Sequence, residues 1–453
     1  MRWKDEDQIL AFAQRLEGMT LNECESPYRI EELREYGGKG GFGQYLENAY
    51  FGLETNSLSR PDFYPVKLEL KATPLKKSGS KLAPKERLVL GMINYMDIVK
   101  EPSFEESHFL EKNAALLIIW YVHDSAKSYG ELQITLADIW RCLKEDGPQI
   151  KKDWELIAGK IKAGKAEELS EGDTLFLGAA TKGATAESSY REQPNSDVPA
   201  KQRAFCFKIQ YMRTIYSRML NRKNKREEHP LQWFCKPRQS IEDAFKERFS
   251  PYVGMSTSEL KEKLSITGES KDLYSRIVLS IIGCKKRNFE PYYDLKAGGV
   301  QLKTVRLEEN GKNKESMSFP AFKYCELANE ESFEDSLFYQ QITCKFIIPV
   351  FRKLPRSLDE YYLDRICVWN MPQRDLDVVK GVWEDTRDRI RKGDYSHFVK
   401  LSDNRIAHVR THGANAADKM VTPQGTMEVK RCFWLNASYV REEILERPVL
   451  YKI

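Results

Sequence analysis

The sequence predicts an α/β fold that occurs twice along one chain. Three observations carry that expectation: an alternating segment, a strand-length apolar run set among helices, and segment pairs that recur in the same order. Val66 to Thr73 places Leu68, Leu70 and Ala72 on one face and Lys67, Glu69, Lys71 and Thr73 on the other. Period two is the signature of a half-buried strand. Ala114 to Val122 is continuously apolar, as expected of a central strand covered on both faces. Gly43–Tyr50 and Asp153–Ile161 read as helices. Helices interleaved with few strands fit a small mixed sheet.

The recurrence covers three stretches. Residues 26–52 parallel 256–283, each a short amphipathic helix, a Gly-containing turn and a second helix ending in Gly. DFYPVKLELKATPL (62–75) parallels DLKAGGVQLKTVRL (294–307), and AKQRAFCFKIQYMRTIY (200–216) parallels EVKRCFWLNASYVREEI (428–444). Three matches in order point to duplication of one domain. The charged run from Asn221 to Pro230 reads as a linker. The expected division is a first domain over 1–222, a linker over 223–232 and a second domain over 233–453. Thr181 to Pro199, rich in Ser, Thr, Gly and Asn, reads as a long loop, and loops of that length are often functional.

Composition narrows the class. The 453 residues are 41% hydrophobic and 31% charged, enough for two or three packed domains. Lys and Arg number 72 against 67 Asp and Glu, a net charge of +5. That permits a nucleic-acid partner without arguing strongly for one. The start, MRWKDEDQ, is unlike a secretory signal, and the longest apolar run is too short to span a bilayer. Nine scattered cysteines without a CxxC pair argue against a zinc ribbon or a disulfide scaffold. The expectation is a cytoplasmic protein with reduced thiols and no membrane partner. His408 and His412, the one close histidine pair, read as ordinary strand residues.

The strongest local signal is Pro61-Asp62, six residues, then Glu69-Leu70-Lys71. On a strand Glu69 and Lys71 share a face, about 7 Å apart. An aspartate at the strand's entry and a glutamate on it can gather around one divalent ion, with the Leu70 carbonyl as a further oxygen. Oxygen ligands of this kind select Mg²⁺. A water on such an ion can attack a phosphodiester, with Lys71 orienting or deprotonating it. Glu-x-Lys by itself is common in so charged a chain. Glu47, in the helix just before, would add a third carboxylate.

These residues carry a family resemblance. GGFGQYLENAYFG, PDF…VKLELKATPLKK, KERLVLGMINY, FLEKNAALLIIWYV and the later ELSEG…TKGATAESS…QPNSD…AKQRAF resemble the MutH-like nucleases. The likeness is nearest to the two-domain type II restriction endonucleases that cut at GATC, and it runs over essentially the whole chain. It implies two tandem domains of the PD…(D/E)xK nuclease fold. In that pattern Glu47, Asp62 and Glu69 hold metal and Lys71 is catalytic, with Lys112 in the place of a second active-site lysine. It also places base reading after the long polar loop, at Lys201, Arg203 and Lys208, with Tyr211 close behind. Basic side chains there would meet phosphates or guanine edges.

The second copy departs from the pattern. Asp294, six residues, then Gln301-Leu302-Lys303 keeps the spacing and the lysine, but an amide replaces the glutamate, and Val278 or a neighbour falls where Glu47 would. Lys430 and Arg431 keep the basic pair of the recognition strand. The second domain therefore reads as a degenerate DNA binder, with Lys303, Lys430 and Arg431 as its contacts. The resemblance implies Mg²⁺-dependent hydrolysis of double-stranded DNA at GATC, 5′ of the G, with activation by DNA bound to the second domain. Cutting both strands of a twofold site calls for a DNA-induced homodimer or successive nicks. The alternatives are a MutH-like strand-nicking repair endonuclease and a catalytically dead DNA-binding regulator.

Overall fold

The computed structural model describes residues 3–24, 40–54, 60–142, 145–182, 189–226, 231–268, 270, 272–287 and 289–446. The chain divides into two compact units, Met1–Glu167 with Phe176–Pro230, and Glu168–Leu175 with Leu231–Ile453. The eight-residue piece is thus counted with the second unit, although the sequence around it belongs to the first. Within that second unit Tyr339 donates to the Glu171 carboxylate at 2.9 Å, and Ser170 donates to the Met371 carbonyl at 3.0 Å.

In the first unit α1 (Glu6–Gln14) and α2 (Gly41–Tyr45) come first, and α2 continues as a π-helical turn through Leu46–Tyr50. Strands β1 (Glu69–Ser78), β2 (Lys81–Pro84) and β3 (Leu88–Met92) follow, then α3 (Tyr95–Ile98) and α4 (His108–Asn113). Next come β4 (Ala115–Val122), β5 (Ile134–Arg141), α5 (Gly147–Lys162), β6 (Leu177–Thr181), β7 (Tyr190–Gln193), β8 (Ser196–Lys201), β9 (Arg203–Phe207) and α6 (Ile209–Lys223). Among the described residues one sheet has the order β2-β1-β4-β5, and a second has β3-β9-β6. β1 runs parallel to β4, and β4 pairs antiparallel with β5. Trp3, Phe12, Tyr50, Phe51 and Phe63 form an aromatic cluster that holds α1 and α2 together. Its burial orients the helix that carries Glu47.

Two expectations are corrected. The strand starts at Glu69 rather than Val66, because Tyr64–Val66 is a 3₁₀ turn around Pro65 and Lys67 sits in the left-handed region at φ 57°. Proline fixes its own φ and cannot donate to a ladder. The stretch 181–199 is not loop throughout. Its later part is the β7–β8 hairpin, closed at Pro194-Asn195 with Asn195 at φ 59°. Asn tolerates that conformation, and its turn chemistry belongs to a tight hairpin and not to a loop running the whole stretch. Residues 26–39 and 183–188 of the quoted motifs, 269 and 271 of the second copy and 227–230 of the expected linker lie outside the described residues.

The second unit holds α7 (Ile241–Phe249), α8 (Thr257–Lys263), α9 (Leu273–Ile282) and α10 (Tyr293–Ala297). β10 (Gln301–Leu302), β11 (Val305–Leu307), β12 (Met317–Ser318), α11 (Tyr324–Ala328) and α12 (Leu337–Ile342) follow. The unit ends with β13 (Phe346–Lys353), β14 (Tyr361–Trp369), α13 (Gln373–Lys392), β15 (Ala407–Thr411), β16 (Lys419–Val421), β17 (Met427–Val429), β18 (Arg431–Leu435) and α14 (Ala437–Tyr439). The plan of the first unit recurs. β10 and β11 run parallel to β13, β13 is antiparallel to β14, and β18 lies between β12 and β15.

The register repeats as well. Glu69 lies opposite Leu116, and Gln301 lies opposite Phe346. Arg203 pairs with Thr181, and Arg431 pairs with Thr411. Gly52, with φ 64°, ends the Glu47 helix, and Gly283, with φ 82°, caps α9, so Val278 takes the place of Glu47. One buried bond is common to both: the Tyr211 hydroxyl donates to Asp146 at 2.7 Å, and the Tyr439 hydroxyl to Asp375 at 2.8 Å. A tryptophan edge, Trp140 or Trp369, meets each tyrosine ring at 6.5 or 6.4 Å.

All nine cysteines are free thiols. No helix among the described residues is long and apolar enough to cross a membrane.

Candidate active site

The entry of β1 builds the site. Leu70 donates its backbone N–H to Asp62 Oδ2 at 2.9 Å, and Asp62 donates its own N–H to Glu69 Oε2 at 3.2 Å. The six-residue spacing is therefore the length of a closed loop that folds Asp62 back beside the strand. Lys71 Nζ stands 2.6 Å from Glu69 Oε1, and Lys112 Nζ, from the last turn of α4, stands 3.5 Å from the same oxygen. Both lysines are about one quarter exposed, whereas Glu69 is 2% exposed. The face expected to be solvated is buried, which is what separates this Glu-x-Lys from an ordinary surface pair.

Electrostatics joins Glu47 to the group. Burial first, then the charges of Asp62 and Glu69, push its carboxyl up to about 7 against the pull of Lys71 and Lys112. Burial also raises Glu69, opposed mainly by Lys71. Three carboxylates and two ammonium groups thus share one partly desolvated pocket. Crowded carboxylates resist simultaneous ionisation unless a cation offsets them. The donor set is all oxygen, which suits a hard divalent ion such as Mg²⁺. As the side chains stand, no trio of His, Cys, Asp or Glu among the described residues closes on a single point. Glu69 holds Lys71 instead.

The base-reading set is dispersed. Arg203 is 1% exposed and donates to the Ala179 carbonyl at 2.6 Å, with Tyr95 beside it. Lys208 is buried at the N-cap of α6. Tyr211 is fully buried and also accepts from the Trp140 indole at 2.9 Å. These three side chains are buried, whereas the sequence reading places them toward a DNA cleft. The alternation that marked the strand does not say which face is outside. Lys201 remains partly exposed at the end of β8.

In the second unit, Gln301, Val278 and Ile342 occupy the places of Glu47's group: Gln301 for Glu69, Val278 for Glu47, Ile342 for Lys112. Val278 and Ile342 are fully buried. Asp294 keeps its spacing but not its role, since it accepts the backbone N–H groups of Phe234 and Cys235 at 2.9 and 3.0 Å. Lys303 turns inward to the Ser318 carbonyl and over the Phe319 ring, and burial lowers its ammonium to about 8. Lys430 pairs with Asp418 at 2.5 Å. Arg431 lies over Phe398 and near Glu428 and the Tyr324 hydroxyl. All three expected contacts of this unit are engaged internally. Missed by the sequence reading were Asp146 and Asp375, the acceptors of the repeated tyrosines. The recurrence of Tyr211 and Tyr439 at one place in the duplicated segment was the available signal.

A family model described as the DNA mismatch repair enzyme MutH matches two separate stretches, 51–153 and 285–381, one in each unit. The type II restriction enzyme Sau3AI of Staphylococcus aureus is 35% identical over 90% of this chain and 92% of its own. The chain belongs to the MutH-like type II restriction endonucleases. The DNA mismatch repair protein MutH of Shewanella woodyi is 27% identical over 91% of its length but only 47% of this chain, and that of Escherichia coli is 26% identical over 78% and 40%. The repair proteins therefore correspond to about half of this protein. The family's members are DNA hydrolases, and this chain is a restriction endonuclease among them. The match spans Asp62, Glu69, Lys71 and Lys112 in the first unit and Asp294, Gln301 and Lys303 in the second.

Proposed function

We propose that the first unit hydrolyses double-stranded DNA at 5′-GATC-3′ with Mg²⁺, and that the second binds a further copy of the site and stimulates the first. The observation that carries this reading is the contrast between the two units at matching positions. Glu47, Asp62, Glu69, Lys71 and Lys112 stand together in one, and their second-unit counterparts are apolar, neutral or turned away. The resemblance to GATC-cutting restriction enzymes supports the sequence specificity and scission 5′ of the G.

Glu47, Asp62 and Glu69 would hold the metal. When bound, a divalent cation supplies a water of lowered pKa and offsets charge on the phosphate. Lys71 then leaves Glu69 to hydrogen-bond the attacking water, and Lys112 offsets charge on a non-bridging phosphate oxygen. The buried floor of the pocket strengthens each of these interactions. Two first units meeting on a duplex would cut both strands of the twofold site, in a homodimer that forms on DNA.

Digestion of a plasmid by the chain alone with Mg²⁺ tests the reading. Linear products ending at GATC are expected. Nicked circles would favour a strand-nicking repair enzyme, and unaltered plasmid a DNA-binding regulator. A plasmid with one GATC should be cut slowly, and a short GATC duplex added in trans should speed it by about 5- to 150-fold, the range typical of coupling between sites.

A further inference from the structure

The two units differ at a second set of matching positions, on their smaller sheets. In the first unit Gly178 pairs with Cys206 and Ala180 with Ala204, a face of small side chains. At the same register of the second unit His408 pairs with Trp434 and Arg410 with Cys432, and His412 continues the strand. Lys303 of the degenerate catalytic strand reaches this sheet at the carbonyl of Ser318, the β12 residue paired with Trp434.

The side chains there form a defined stack. The Arg410 guanidinium lies 4.1 Å over the Trp434 ring, and the His412 ring meets the same indole edge-on at 5.6 Å. His408 is buried behind them and bonds Asn436 at 2.6 Å. Arg410 and His412 are exposed, and Arg410 has no carboxylate partner among the described residues. The Trp434 indole N–H is buried and has no acceptor. A guanidinium stacked on an aromatic face keeps its in-plane N–H groups free and is ordered in advance. That edge matches phosphate oxygens or guanine O6 and N7. Lys430 and Arg431, by contrast, are held by Asp418 and by Tyr324 with Phe398.

We propose that Arg410, Trp434 and His412 form the shelf on which the second unit holds duplex DNA, with Arg410 bonding the duplex through its in-plane N–H groups and Trp434 fixing that side chain's plane. This rests on the reading that the second unit binds DNA. It moves the contact from the Lys430–Arg431 pair to the face built by β15 and Trp434.

The test uses the full chain in EDTA, where DNA binds without being cut. A fluorescent GATC duplex is titrated and the number of duplexes per chain is read by native mass spectrometry. Two duplexes are expected for the unaltered protein. Arg410→Ala should weaken one of the two events about 10- to 100-fold, the loss typical of one good bidentate contact. Trp434→Leu should do the same, and Trp434→Phe should restore most of the affinity. Lys430→Ala and the distant surface change Lys392→Ala should leave both events intact. Arg410 is a surface residue, so its variant is read even if Trp434→Leu unfolds. Two events of unchanged affinity in Arg410→Ala would overturn the shelf while leaving the two-site reading in place. A single event in the unaltered protein would overturn both.

Discussion

The two units share a plan, a register and a buried Tyr–Asp bond, yet they treat charge in opposite ways. The first gathers three carboxylates and two lysines at the entry of β1, with two of those carboxyls displaced upward by burial. The second fills the matching places with Gln301, Val278 and Ile342, turns Asp294 onto backbone N–H groups and directs a half-buried Lys303 at a carbonyl. Its counterpart of β1 is also interrupted between β10 and β11. Buried charge is costly, and in the first unit Lys71 and Lys112 offset only part of the three carboxylates. The scaffold and the chemistry are therefore separable, and the comparison can be broken one position at a time.

The largest effect falls on cleavage. Glu69→Ala or Lys71→Ala should lower the Mg²⁺-dependent rate by on the order of 10³-fold or more, since each removes a group acting on the charged transition state. DNA binding in EDTA should be little altered. Plasmid digestion and duplex titration on the same preparations measure the two. Normal cutting by Asp62→Ala would sink the site assignment.

Next comes the bond common to both units. Tyr211→Phe removes the hydroxyl donor to Asp146, and Tyr439→Phe the hydroxyl donor to Asp375, while Arg218 and Arg405 still donate to these carboxylates. Each change should destabilise its own unit by about 1 kcal/mol, the net worth of one buried hydrogen bond to a carboxylate that keeps its arginine. Thermal unfolding of each variant should show one transition shifted and the other fixed. If Tyr211→Phe instead spared stability and abolished DNA binding, the interior placement of Tyr211 would be wrong.

How far the sequence reached can be judged at these same residues. The duplication, Glu69, Lys71 and the neutral Gln301 were legible because spacing and residue type survive in one dimension. The inward turn of Arg203, Lys208 and Tyr211 was not. A basic or aromatic residue on an alternating strand looks alike whether its face meets solvent or a second layer, and only the packing of α4 and α5 decides it. Asp146 was silent because its partner lies 65 residues away. Asp294 shows the converse: its spacing was preserved while its hydrogen bonds were reassigned.

A smaller effect concerns Glu47. Its folded-state carboxyl titrates near 7, above the ordinary value of 4.5. A raised carboxyl means that the folded state binds the proton more tightly, so stability is greatest below about 4.5 and falls as pH rises toward 7. Glu47→Gln should remove that loss and stabilise the metal-free protein at pH 8 by about 1–2 kcal/mol, after discounting for solvent around a half-buried group. In the unaltered protein Mg²⁺ should recover the same stability, and in the variant it should recover less. Denaturation at pH 5 and pH 8, with and without Mg²⁺, reads all four conditions. A variant no more stable than its parent at pH 8 would place Glu47 outside the crowded pocket.

The smallest expected effect sharpens the contrast between the two retained lysines. Lys71 sits on a carboxylate, whereas the half-buried Lys303 packs against a carbonyl and a ring, and desolvation lowers its ammonium from 10.5 to about 8. A lysine lowered in the folded state binds its proton more tightly when unfolded. Stability is therefore depressed below about 8 and rises with pH between about 8 and 10.5. Lys303→Met keeps the stem's volume and removes the charge, so at pH 7 the second unit should gain about 1 kcal/mol and lose its rise in stability above pH 8. Cleavage by the first unit should persist, whereas Lys71→Met should end it. The second unit should still bind DNA, because the Lys303 ammonium is directed at the Ser318 carbonyl and the Phe319 ring. Loss of that binding in Lys303→Met, with the unit still folded, would show that Lys303 swings out to the duplex and that its inward pose belongs only to the DNA-free state.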